Sequence, residues 1–310
     1  MTPTSAISST TTIRDVSLRD GLQLTGKVLP TEKKALIVRR LLALGVPEIE
    51  IGSMARPDLV PPMANSLELI GELTPEELRR CWVWVATPRH IDKAAQAGAR
   101  NFQYCFSASD AHNRANIGRD TEASVAALPS AIQMVQELGG RIEMCVATAF
   151  SCPYDGDVDP QRILDITADA RTQGVDDIVL CDTLGRAVPG EVAHLVTAVH
   201  HAHPDVRVAF HGHDTWGMGV ANAITAINCG ARMVDATLGG LGGCPFAPGA
   251  AGNTPIEDIA YAIRPPWLRH STFADLVTLA DELLADVAET SGSKAARSSK
   301  SSTTRSDWTT

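Results

Sequence analysis

Two histidines at alternate positions, His211 and His213 in "HGHD", offer the sharpest chemistry in the chain. Side chains on a strand alternate faces, so positions i and i+2 point the same way and two imidazoles can share one cation. The same spacing also occurs on ordinary exposed strands, so the pair needs further donors beside it. Asp20 in "SLRDGLQ" supplies a hard carboxylate oxygen, and Asn253 in "GAAGN" an amide oxygen. Imidazole and oxygen donors with positions left for water suit Mg2+ or Mn2+ better than a closed zinc site. The expected ligand set is Asp20, His211, His213 and Asn253.

Other groups belong near that set. Glu50 is flanked by Ile49 and Ile51, and a buried carboxylate there is costly without a partner. Arg19 is the candidate, and the pairing could be catalytic or purely structural. Asp182 in "CDTLG" is either a functional carboxylate or the cap of the following turn. The loop 239–252 carries Gly239, Gly240, Gly242, Gly243, Gly249 and Gly252 around Cys244-Pro245. Glycine permits close backbone approach to a ligand and supplies hinges, so Cys244 reads as a proton donor or acceptor delivered by loop closure. His200, His201 and His203 in "AVHHAHP" read instead as the end of a surface helix, where cations complement the dipole.

A regular alternation of elements must hold these residues. Short apolar or β-branched runs occur at 13–18, 47–52, 82–86, 101–106, 141–148, 175–181, 206–210 and 232–238. Helical spacing fills the intervals near 63–73, 89–98, 121–138, 160–173, 189–202, 217–229 and 254–263. In "TEKKALIVRRLLALG" it places Leu36, Ile37, Leu41 and Leu44 on one face, with Thr31 as N-cap and Gly45 just past the end. Strands separated by helices imply parallel pairing, and this many units imply a closed α/β (TIM) barrel, with an open doubly wound sheet as the rival. In a closed barrel the first strand neighbours the last, and functional residues follow the strands on the C-terminal face. That closure would carry Asp20 to the histidines.

The expected organisation is a flexible stretch 1–12, one barrel domain 13–290 ending in a helix near 272–290, and a disordered tail 291–310. The tail, "SGSKAARSSKSSTTRSDWTT", has little apolar content with which to order itself. The chain of 310 residues is 44% hydrophobic and 20% charged, an ordinary globular composition, and its net charge of −9 argues against a broad nucleic-acid surface. Seven scattered cysteines without CxxC spacing read as reduced core residues. No apolar run approaches a membrane span, and the start lacks the basic and apolar regions of a leader, so a cytoplasmic protein is expected.

The motifs "RDGLQ", "CPYDG", "DTLG", "HGHDTWG" and "GGLGGCPFAPGAAGN", in that order, resemble the hydroxymethylglutaryl-CoA lyase family over about residues 13–265. The resemblance implies metal ligation by Asp20, His211, His213 and Asn253. It implies catalytic roles for Arg19, Asp20, Glu50, Asp182, His211 and Cys244, with His211 or Asp182 as base. Substrate-lining positions are implied at Gln23, Ser107, Ser109, Asn116, Gly242 and Gly243, and a homodimer is implied as well. The implied reaction is retro-Claisen cleavage of an acyl-CoA thioester with Mg2+ or Mn2+. The chain departs from the family pattern at Leu24-Thr25-Gly26, Pro62 and Arg89, which points to an altered substrate rim. A condensing synthase, a metal-dependent aldolase and a non-enzymatic acyl-CoA-binding scaffold are the competing readings.

Overall fold

A computed structural model describes residues 11–243 and 252–301. Eight parallel strands close into a barrel: β1 (Thr12–Asp15), β2 (Glu48–Ser53), β3 (Cys81–Val85), β4 (Asn101–Ser107), β5 (Arg141–Ala147), β6 (Asp177–Asp182), β7 (Arg207–Gly212) and β8 (Met233–Ala236). β1 pairs with both β2 and β8, which seals the barrel and excludes the open-sheet alternative.

Helices pack around the outside. Besides a single turn at Pro75–Leu78, they are α1 (Thr31–Leu44), α2 (Ser66–Glu72), α3 (Pro88–Ala97), α4 (Asp110–Ile117), α5 (Thr121–Glu137), α6 (Pro160–Ala168), α7 (Pro189–Ala202), α8 (Gly219–Asn228), α9 (Ile256–Ile263), α10 (His270–Val287) and α11 (Lys294–Ser301). Among the described residues, no helix is long and apolar enough to cross a membrane.

The alternation of the strands separates two environments. Phe102, Tyr104 and Phe106 of β4 face outward into the core shared with the helices. Gln103, Cys105 and Ser107 face inward, as the period of two requires. The interior is unusually charged. Arg14 donates to Asp235 at 2.8 and 3.0 Å and to Glu143 at 2.5 Å, all fully buried, and Gln103 donates to the same Glu143 oxygen at 2.7 Å. Removing one partner of such a network would strand a buried charge, at a cost of about 3–5 kcal/mol.

Several local expectations are corrected. In α1 the N-cap is Pro30, not Thr31, and Leu36 is half exposed; Lys34, Ala35, Ile37, Val38 and Leu41 form the buried face. Lys34 is tolerated there because its ammonium reaches the Pro62 carbonyl and the Asn65 amide oxygen, each at 2.6 Å. Gly45 does terminate the helix, with a φ of 95° and bonds back to Leu41 and Leu42. α4 and a short antiparallel hairpin pairing Ser151–Cys152 with Gly156–Asp157 were not legible as elements.

The stretch expected to be disordered after residue 290 contains α11. Its order comes from α9: both oxygens of Asp258 accept bonds from Ser293, Lys294 and Ala295 at 2.6 to 3.1 Å, and Ala296 is buried. Composition could not show this, because the capping carboxylate lies 35 residues upstream of Ser293. At the other end, Thr12 already belongs to β1 rather than to a flexible leader.

Candidate active site

The expected strand 13–18 stops at Asp15, and residues Ser17–Gly21 form one turn of π-helix. The Leu22 and Gly21 amides reach back five residues to Ser17 and Val16 at 2.9 and 3.1 Å. Such turns recur at functional sites because they displace side chains from a regular register. Here the turn sets Arg19 and Asp20 side by side over the C-terminal mouth of the barrel.

Arg19 is clamped by three groups. Its Nε donates to Glu50 at 2.7 Å, one terminal nitrogen to Asp20 at 2.5 Å and the other to Gln103 at 3.3 Å. The expected Arg19–Glu50 pair therefore forms. Burial pushes the Glu50 carboxyl up and Arg19 pulls it part of the way back. For Asp20, burial is outweighed by Arg19, His211 and His213, which hold its carboxyl well below the usual carboxylate range.

The two histidines converge on Asp20. Its Oδ2 is 3.4 Å from His213 Nε2 and 4.0 Å from His211 Nε2, and one ligand atom from each of the three residues falls within 4.8 Å of the others. Asn253 joins them through a bridge between its backbone and that of His213, and its amide nitrogen lies 2.7 Å from Asp20 Oδ2. Gly242 makes this approach feasible: at its φ of 133°, a Cβ would stand 2.6 Å from the Asn253 side-chain nitrogen.

Asp235, in register with Arg14 on the neighbouring strand, orients His211 by accepting from its Nδ1 at 3.0 Å. Burial works against a charged His211, but the bond to Asp235 and the charge of Asp20 raise its proton affinity above the ordinary value. The nitrogen left facing the cluster is Nε2. His213 Nδ1 and Glu50 Oε1 are buried without a hydrogen-bond partner among the described residues. A carboxylate and two imidazole nitrogens around one point, with buried acceptor atoms left over, fit a divalent cation with open positions. Asn253, whose amide nitrogen here donates to Asp20 and to the Leu241 carbonyl, would add its oxygen once the amide is turned over.

The remaining expected residues are less uniform. Asp182 is buried, but its two oxygens accept from the Arg186 and Ala187 amides, each at 3.0 Å. It caps the following turn, the alternative its sequence context had left open. Ser107 shares a 2.7 Å bond with His112, while Ser109 caps α4 and donates to Asp155 at 2.5 Å. Both hydroxyls are thus occupied within the protein. Asn116 is exposed on α4, and Gln23 is half buried just beyond the π-turn. Gly243 adjoins Leu24, whose side chain would lie 3.3 Å from a Cβ there. Cys244 lies outside the described residues. Of the departures from the family pattern, Leu24 borders the mouth, whereas Pro62 is buried and receives Lys34.

Arg14, Gln103, Glu143 and Asp235 escaped the sequence reading. Each is a polar residue inside an apolar strand, the same signal that singled out Glu50.

Comparison with known proteins shows the family. The family model described as HMGL-like matches residues 10–281. The (R)-citramalyl-CoA lyase of Chloroflexus aurantiacus is 40% identical over 260 residues, covering 81% of this chain and 82% of that protein. A hydroxymethylglutaryl-CoA lyase of Bacillus subtilis is 32% identical over 252 residues, covering 81% and 84%. Among solved structures, an HMG-CoA lyase from Acinetobacter baumannii in complex with coenzyme A and 3-methylmalate superposes with a TM-score of 0.86 at 29% identity, covering 97% of this chain and 99% of that one.

Proposed function

The chain belongs to the HMGL-like family of carbon–carbon lyases, and on that premise we propose that it cleaves a 3-hydroxy-3-methylglutaryl-CoA-like thioester to acetyl-CoA and a keto acid by retro-Claisen chemistry. The observation that carries the reading is the convergence of Asp20, His211, His213 and Asn253 beside the clamped Arg19.

Those four residues would hold Mg2+ or Mn2+, which when bound supplies Lewis acidity to a substrate hydroxyl and a neighbouring oxygen. The protein contributes the rest. Arg19 cannot swing away, because Glu50, Asp20 and Gln103 fix its guanidinium, so its charge is preorganised for an oxyanion as the C–C bond breaks. Loss of one such preorganised donor typically costs about 10²–10³ in rate. Of the two candidate bases, Asp182 has both oxygens engaged by backbone amides, and His211, its Nδ1 held by Asp235, has only Nε2 to offer either to the cation or to the proton. Cys244, beyond the Gly242–Gly243 root of the loop, is the candidate for returning a proton to the enolate.

A second reading of the acyl group has its own support. The citramalyl-CoA lyase of Chloroflexus aurantiacus is 40% identical to this chain over 260 residues, against 32% over 252 for the hydroxymethylglutaryl-CoA lyase of Bacillus subtilis. Apolar Leu24 at the mouth also departs from the pattern of the hydroxymethylglutaryl lyases. Both substrates carry a tertiary alcohol bearing a methyl group and release acetyl-CoA, but one yields acetoacetate and the other pyruvate.

The test is to supply each thioester separately with Mg2+ or Mn2+, with and without EDTA, and to follow acetyl-CoA and the keto acid by mass spectrometry. Metal-dependent acetyl-CoA, lost in His211→Ala and Asn253→Ala, is expected, and the keto acid identifies the acyl group. Metal binding with no cleavage of either thioester would refute the assignment.

A further inference from the structure

Three thiols that take no part in this chemistry form a row inside the barrel. Cys105, Cys145 and Cys181 lie on β4, β5 and β6, at positions that alternate with the outward-facing core. They belong to a small inner cluster with Ala147, Val179, Ala209 and Met233, separate from the main core. Cys145 Sγ is 3.3 Å from Cys181 Sγ, and Cys105 stands opposite Cys145 in register on the strand at its other side.

Access to the row comes from above. The layer beneath is sealed, with Arg14 and Glu143 at 0% exposure and Trp82 at 1%, whereas Cys105, Cys145 and Cys181 keep 6%, 3% and 5%. Arg19, at the mouth, reaches Gln103, the inward-facing residue two positions before Cys105 on β4, at 3.3 Å. A small solute reaching the sulfurs therefore passes the candidate active site.

The geometry favours a bridging ion over a disulfide. Cys145 stands opposite Val179, so Cys181 is its diagonal neighbour. Strands about 4.8 Å apart, rising about 3.3 Å per residue, place diagonal Cα atoms roughly 8 Å apart. A disulfide usually requires about 4.4–6.8 Å. Two sulfurs on one tetrahedral ion, at metal–sulfur lengths of about 2.3 Å, stand about 3.8 Å apart. The present 3.3 Å separation needs only a small side-chain adjustment to reach that value.

We propose that Cys145 and Cys181 form a two-sulfur site for one thiophilic cation, of the class of Cd2+, Zn2+ or Cu+, entered through the mouth of the active site. Binding exchanges two S–H bonds for two metal–sulfur bonds and releases two protons to solvent, with no change of oxidation state. The barrel would then hold two sites of opposite preference. Oxygen and imidazole donors at the mouth select hard ions, and the thiolates beside and below them, Cys181 in register with His211 and Cys145 deeper, select soft ones.

The experiment is a Cd2+ titration of the chelator-stripped full chain in excess Mg2+, carried out in a Cys244→Ser background to remove the loop thiol. The readout is the ultraviolet thiolate-to-cadmium charge-transfer absorbance, which nitrogen and oxygen ligands do not produce. It is therefore independent of Asp20, His211 and His213, and of whether the enzyme cleaves either thioester. One Cd2+ per chain is expected, with affinity at least about tenfold weaker in both Cys145→Ala and Cys181→Ala. Cys229→Ser should leave the titration unchanged. Unaltered melting temperatures and Mn2+ binding in the two alanine variants would show that the loss is local. No absorbance in the parent, or full absorbance in either alanine variant, overturns the proposal.

Discussion

Asp235 does for His211 what Glu50 does for Arg19: it removes the freedom to turn away. Its carboxylate accepts from His211 Nδ1 at 3.0 Å while Arg14 grips both oxygens. Burial alone would raise this carboxyl, but Arg14 and His211 bring it down to about 2, so it stays ionised through the working range. Partners of this kind fix the tautomer of a ligating histidine, and losing one typically costs about 10–100-fold in metal affinity or activity. Asp235→Asn keeps the shape and one acceptor, so a comparable weakening of Mn2+ binding is expected in a titration followed by electron paramagnetic resonance. Unchanged affinity would mean that His211 is oriented by something else. Asp20, His211, His213 and Asn253 were legible because residue type and spacing state their chemistry directly. Asp235 was not, since a lone acid in "MVDATLGG" names no partner until β8 is laid beside β1 and β7. Asp182 shows the converse: its type suggested chemistry, and only the Arg186 and Ala187 amides revealed a cap.

At the scale of elements, hydrophobic periodicity located the barrel strands to within a few residues, because each is apolar and bounded by turn-forming residues. It failed where order depends on a distant partner. Past Asp15, Val16 and Leu18 in "VSLRDGL" keep the apolar spacing of two, so the pattern alone does not mark the end of the strand. α11 is the larger case. "KAARSSKS" is a poor helix by composition, yet Asp258 supplies its N-terminal acceptors from α9. Losing a helix cap costs about 0.5–2 kcal/mol, and for chains of about 150–250 residues each kcal/mol lowers the melting temperature by about 2–4 °C. Asp258→Ala should therefore melt a few degrees lower and be cut sooner by trypsin at Lys294, Arg297 or Lys300. Equal cleavage rates in the two proteins would show that Asp258 does not hold the helix in place.

For the molecule as a whole, closure is the fact that matters. The alternation of strands and helices implied it, and closure alone brings Asp20 on the first strand's turn to His211 on the seventh and Asn253 after the eighth. What the alternation could not show is how the seam between first and last strands is fastened. Asp15 accepts from the Ser17 amide and hydroxyl at 3.0 and 2.8 Å, and that hydroxyl accepts from the Leu238 amide at 2.7 Å. Glu257 receives the Gly239 amide at 2.9 and 3.1 Å. These two buried acids tie the root of the π-turn to the root of the glycine-rich loop. Burial pushes Asp15 up to about 7 and Glu257 up to about 8, against their amide and hydroxyl bonds. A proton held more tightly in the folded chain stabilises it fully below the unfolded value, and that stability is lost as pH rises through the folded value. Both acids therefore favour the fold near pH 4 and withdraw their support between about pH 4 and 8, each at no more than about 1.4 kcal/mol per pH unit. Asp235 has the opposite sign: its support is present above about pH 4 and fades as pH falls toward 2. Calorimetry in the presence of a chelator should accordingly find the highest melting temperature in mildly acidic buffer, declining toward pH 8. Glu257→Gln retains an acceptor for Gly239 but cannot ionise, so its melting curve should lose part of that alkaline decline. If variant and parent instead run parallel from pH 5 to 8, Glu257 does not carry the linkage and the seam is held by other groups.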